Sequence, residues 1–233
     1  MNNELGILTL SAASLGFIHT VLGPDHYLPF IVMSRARGWS VFKTGWITFL
    51  CGVGHVGSSV LLGTIGLTVG FGISRLDGIE GFRGSLAAWL LVLFGTVYAA
   101  WGIYRVYRKK PHKHIHLHED GTAHVHEHTH AEEHDHVHSR NITPWVLFTI
   151  FVLGPCESII PVLMYPAAGS STWGIVQVAL VFSLTTILTM MAIVILASYG
   201  LQFVRLGRLE KYTHLIAGVT ILLSGLAILY LGL

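Results

Sequence analysis

Six residues of this chain pair ligand chemistry with an apolar setting: His19, Asp25, His26, His55, Cys156 and Glu157. Imidazole, thiolate and carboxylate together suit borderline divalent ions such as zinc, nickel and cobalt. Calcium and magnesium want oxygen ligands and fit the mixture poorly. Four of the six directly follow a Gly-Pro step, in Gly23-Pro24-Asp25-His26 and in Gly154-Pro155-Cys156-Glu157. Proline removes a backbone donor and clashes with the carbonyl one turn earlier, so each step should break a helix. Carbonyls freed in hydrocarbon need a partner, which another helix, water or an ion can supply. Ionisable groups at membrane depth are costly unless paired or hydrated, and so mark functional sites.

His19 and His26 are seven residues apart and share a helix face unless the break rotates it. His55 sits in Cys51-Gly52-Val53-Gly54-His55-Val56-Gly57-Ser58-Ser59, where small residues let a neighbouring helix approach closely. A lone intramembrane histidine can equally be a hydrogen-bonder between helices. Cys51 reads as a small packing residue. Thr186, at the position matching His55 in the second half, reads as bonding back to its own helix.

The elements that position these residues are apolar spans. The chain has 233 residues, 52% hydrophobic and 11% charged, against roughly 25% charged in soluble domains. Six segments approach the ~20 residues that span a bilayer: about 8–33, 44–71, 86–104, 144–164, 173–201 and 212–231, the first and fourth interrupted by the Gly-Pro steps. The expected fold is an all-α membrane protein of six transmembrane helices. Asp25 and Glu157 read as the only acids well inside these segments. Basic residues favour the cytoplasmic side. Twelve of the fourteen Lys and Arg fall in the loops after segments one, three and five, leaving Arg75 and Arg83 for the other side. That distribution places both termini outside and the long polar stretch in the cytoplasm. A bacterial inner membrane is the expected location.

The chain also repeats. Phe17, Val21, Leu22, Gly23 and Pro24 match Phe148, Val152, Leu153, Gly154 and Pro155 at a constant offset, and Gly95 and Gly102 share the spacing of Gly218 and Gly225. The reading is a three-helix repeat over 1–107, a histidine-rich loop over 108–141 and a second repeat over 142–233. Three spans per repeat force the second copy to insert upside down, and inverted repeats with broken helices are a transporter architecture. Each broken helix opens its repeat, and a two-fold would bring Asp25, His26, Cys156 and Glu157 together.

Eleven of the fifteen histidines lie in the loop: His112, His114, His116, His118, His124, His126, His128, His130, His134, His136 and His138. Such tracts read as metal binding, and with so few apolar residues the loop is expected to be disordered.

Several motifs carry a family resemblance. His19-Thr20-Val21-Leu22-Gly23-Pro24-Asp25-His26 resembles the His-then-Asp-His signature of nickel/cobalt permeases, with one more residue before the Asp-His. Gly54-His55 and Leu153-Gly154-Pro155-Cys156 are similar to motifs of the related nickel/cobalt efflux family, in the lysine-exporter-like superfamily. The resemblance implies six helices in two inverted repeats. It also implies a secondary transporter, not an enzyme, that moves nickel, cobalt or zinc ions as substrate, with export favoured. The expected mechanism is alternating access around a midplane site, with no organic cofactor. The expected partners are metal ions and the lipid bilayer, with homo-oligomers open and nucleic acid excluded. Three alternatives stand beside it: a thiol–disulfide electron carrier, a sulfite-type anion exporter and a membrane partner of a metallochaperone system. The electron carrier wants one cysteine in each repeat, and here Asp25 occupies the position that matches Cys156.

Overall fold

A computed structural model describes residues 2–108, 112–117, 123–128, 142–156, 158–168, 172–204 and 207–231. Between its breaks and turns, the described membrane part is helical. Its elements are α1 (Asn2–Leu22), α2 (Leu28–Arg37), α3 (Val41–Val69), α4 (Ile73–Arg108), α5 (Thr143–Leu153), α6 (Ile159–Ala168), α7 (Thr172–Gln202) and α8 (Thr213–Leu231). Within the histidine-rich segment, strands β1 (His112–Leu117) and β2 (Ala123–His128) pair antiparallel, with His112, His114 and His116 opposite His128, His126 and His124. His118, His130, His134, His136 and His138 lie outside the described residues.

Local chemistry sets the helix ends. Pro24 ends α1, and Pro24–His26 form a single 3-10 turn before α2. Gly38 and Gly70 close α2 and α3 in the left-handed conformation, which costs glycine little. The Ser40 side chain caps α3 by accepting from the Lys43 amide at 3.2 Å.

Among the described residues, five helices are long and apolar enough to cross a membrane: α1, α3, α4, α7 and α8. The expected fourth span is interrupted at its Gly-Pro step as read, leaving two short helices, α5 and α6, of 11 and 10 residues. The expected third span is longer than its apolar stretch. α4 begins at Ile73, so Arg75, Glu80 and Arg83 ride on the helix rather than in a loop. This corrects the inventory of acids, because Glu80 is completely buried. The apolar window missed that turn because its charges pair with each other.

Large apolar side chains such as Phe42, Trp89, Leu93 and Leu188 face outward, as a lipid-facing surface requires. Inside, α4 and α8 pack closely through their glycines. A Cβ on Gly95 would fall 2.8 Å from the Gly218 carbonyl oxygen, and one on Gly225 would fall 2.9 Å from that of Ala88. Small residues at such crossings let backbones meet. Basic side chains tie the helix ends together. Arg35 donates to the Leu201 and Val204 carbonyls at 3.1 and 3.0 Å, and Arg37 donates to Thr143 Oγ1 at 2.9 Å.

Candidate functional site

The first break folds its histidine back toward α1. Two uninterrupted turns would separate His19 and His26 by ~10.5 Å along the axis. The 3-10 turn instead sets the two rings edge to face at 4.6 Å. His55 enters from α3, parallel to His19 at 6.2 Å and perpendicular to His26 at 4.9 Å. One nitrogen of each of the three imidazoles lies within 4.8 Å of the others. His26 and His55 are 3% exposed.

Each of these two rings is oriented by an oxygen behind it. His26 Nδ1 stands 3.1 Å from the Gly23 carbonyl oxygen and 3.2 Å from Asp25 Oδ1. His55 Nδ1 stands 3.3 Å from the Phe151 carbonyl oxygen, in the last turn of α5. Their Nε2 atoms face each other at 3.2 Å. Glycine makes room for this approach at both breaks, most tightly at the first. A Cβ on Gly23 would fall 2.5 Å from His26 Nδ1, and one on Gly154 would fall 3.0 Å from His55 Nδ1.

Cys156 joins from the second break, its Sγ 3.7 Å from His19 Nε2. The candidates therefore sort themselves. His19, His26 and His55 converge, Cys156 touches His19, and Asp25 stands behind His26. Glu157 lies outside the described residues. Cys51, a turn before His55, packs in a different apolar cluster from Cys156, with Phe30, Met33 and Met190. Thr186 is fully buried, and its hydroxyl has no hydrogen-bond partner among the described residues. It does not bond back to its helix as expected.

Sequence reasoning missed the group that holds the second break. Arg83 on α4 donates to the Val152 carbonyl at 2.8 Å and to the Gly154 carbonyl at 3.4 Å. It also donates to Ser58 Oγ at 2.6 Å and pairs with Glu80. Glu80 Oε2 accepts from the Cys156 amide and from Ser59 Oγ, both at 3.2 Å. The break's freed carbonyls and amide thus find their partners on one ion pair, whose carboxylate is fully buried. The available signal was the Glu80–Arg83 spacing of one helical turn, just ahead of an apolar run.

The fold and site define a polytopic helical membrane protein whose ligand-bearing residues gather where broken helices meet. The family described as cytochrome c biogenesis protein transmembrane region matches residues 29–227, and the chain belongs to that family. No curated protein and no solved structure matches. This membership overturns the resemblance to nickel/cobalt permeases and efflux proteins, and with it the expectation of metal-ion transport. The shared motifs were short, and a His-then-Asp-His pattern over eight residues weighs less than a match across most of the chain. The matched region begins after the first break, so it contains His55, Glu80, Arg83 and Cys156 but not His19, Asp25 or His26.

Proposed function

We propose that this chain is a membrane thiol–disulfide carrier of the cytochrome c biogenesis class, with Cys156 as its reacting group. The observation that carries the reading is the place of that thiol within a family of this kind. Cys156 sits at a helix break, beside an imidazole nitrogen at 3.7 Å, while Cys51 packs elsewhere. His19 Nε2 takes the thiol proton, and the thiolate is the nucleophile.

A single thiol suffices if both partners bring two. The Cys156 thiolate attacks an acceptor's disulfide. One S–S bond breaks, a mixed disulfide forms, and the displaced acceptor sulfur takes up a proton. A dithiol donor then attacks the Cys156 sulfur and expels the acceptor as a dithiol. The donor's second thiol closes the donor disulfide and frees Cys156. Two electrons and two protons pass from donor to acceptor. Cys156 is fully buried in this conformation, so partners reach it only when the halves move apart.

Two finer readings belong with this one. We infer that α5 and α6 together complete a sixth span, in an inverted pair of three-helix repeats. The mutual contact of α4 with α8 through equivalent glycines supports that pairing. The basic helix ends support placing the histidine-rich segment in the cytoplasm.

The test is electron transfer in proteoliposomes, with a dithiol inside and a disulfide reporter outside. Cys156→Ser is expected to lower transfer at least ~100-fold, while Cys51→Ala keeps it. Transfer by a chain lacking both cysteines would overturn the proposal.

A further inference from the structure

We propose that His19, His26, His55 and Cys156 form a binding site for one borderline transition-metal ion of the zinc class, held rather than transported. His26 Nδ1 faces only oxygens, Gly23 O at 3.1 Å and Asp25 Oδ1 at 3.2 Å. A carbonyl and a carboxylate can only accept, so Nδ1 carries the ring proton. His55 Nδ1 faces the Phe151 carbonyl oxygen at 3.3 Å and carries its proton for the same reason. In the neutral rings both Nε2 atoms are then bare lone pairs. They face each other at 3.2 Å inside a buried cluster. Two lone pairs at that distance repel unless a cation lies against both.

The spacings suit a metal ion. Two nitrogens bound at ~2.0–2.1 Å to one tetrahedral zinc stand ~3.3–3.4 Å apart, and a nitrogen and a sulfur bound at ~2.3 Å stand ~3.6 Å apart. The observed separations are 3.2 Å for His26 to His55 and 3.7 Å for His19 to Cys156. The third imidazole lies within reach, since the three ligand nitrogens fall within 4.8 Å. The outer shell is also present. A carboxylate or carbonyl behind His26 and His55 fixes the tautomer of each and turns its Nε2 toward the ion, and Asp25, Gly23 and Phe151 supply these groups. Three imidazoles and one thiolate match the ligand preferences of zinc and its neighbours.

This site stands apart from the thiol-carrier reading. Binding would hold Cys156 as a metal-bound thiolate and withdraw it from exchange, but the three imidazoles do not depend on that chemistry. Cobalt(II) is the probe, because a thiolate-to-cobalt charge-transfer band can come only from a cysteine and the histidine-rich segment has none. The purified full-length chain with one equivalent of cobalt(II) is expected to show tetrahedral d–d bands and that charge-transfer band. Cys156→Ser removes the charge-transfer band and Cys51→Ala keeps it. His55→Ala and His26→Ala weaken the spectroscopic site at least ~100-fold. X-ray absorption of the wild type with one equivalent of zinc(II), which needs no variant to fold, is expected to show one sulfur at ~2.3 Å. A cobalt spectrum without the charge-transfer band, or a zinc shell without sulfur, would overturn the site and leave a proton shared between His26 and His55. Loss of electron transfer in Cys156→Ser with no metal bound in the wild type would sink this inference alone. Metal binding with electron transfer intact in a cysteine-free chain would sink the carrier alone.

Discussion

The two helix breaks carry the same Gly-Pro step but are held in different ways. At the first, the chain satisfies itself: the His26 amide donates to the Gly23 carbonyl at 3.0 Å, and the His26 ring turns back on the same oxygen. At the second, the partners come from a distant helix, with Arg83 on two carbonyls and Glu80 on the Cys156 amide. α5 is half the length of α1 and has no long helical run to stabilise it. A local break can be built from local residues. A break between two short helices has to be held by the rest of the fold.

The largest expected effect breaks that comparison at Arg83. Arg83→Ala leaves Glu80 buried and unpaired, and removing one partner of a buried ion pair costs about 3–5 kcal/mol. Thermal unfolding in detergent should register this as a large fall in midpoint. The double variant Glu80→Gln with Arg83→Ala should recover part of the loss, since no charge is then stranded. Equal stability of wild type and Arg83→Ala would mean that the second break needs no outside partner.

Gly23→Ala attacks the self-held break. Its Cβ would fall 2.5 Å from His26 Nδ1, so the ring must turn away from His55. A cobalt(II) titration should show the site weakened toward the upper end of the ~10–100-fold that disturbed outer-shell partners cost. Gly154→Ala, with its nearest contact at 3.0 Å, should do less. The reverse order would contradict the placement of the two rings.

A smaller effect is expected from Asp25→Asn. The amide can still accept from His26 Nδ1 but lacks the charge, which should cost about tenfold in metal affinity with little change in stability. Smallest is Cys51→Ala. It removes a single buried sulfur from an apolar cluster, at about 1 kcal/mol, and should leave both electron transfer and the cobalt charge-transfer band in place.

Much of this was legible along the chain. The apolar runs announced a helical membrane protein, and the two Gly-Pro steps announced both breaks to within a residue or two. His19, His26 and His55 stood out because imidazole is rare in apolar surroundings. The start of α4 was not legible. Arg75, Glu80 and Arg83 look like loop residues when each is scored alone, and it is the Glu80–Arg83 pair within α4, with its partners on α3 and at the second break, that makes Glu80 compatible with burial. The family was misread for a related reason. Short ligand motifs recur wherever histidines line a helix face, whereas membership rests on the pattern of the whole chain.

What the sequence determined by itself is the set of helices and the points where two of them break, because hydropathy and proline act locally. What only the tertiary structure decided is which groups meet there. It brought His55 against His26 from α3, set Cys156 beside His19, and drew Glu80 and Arg83 from α4 to the second break. These residues lie from 29 to 137 positions apart along the chain. No local rule reaches that far, and each carbonyl freed by a proline takes whichever partner the packing of the other helices brings to it.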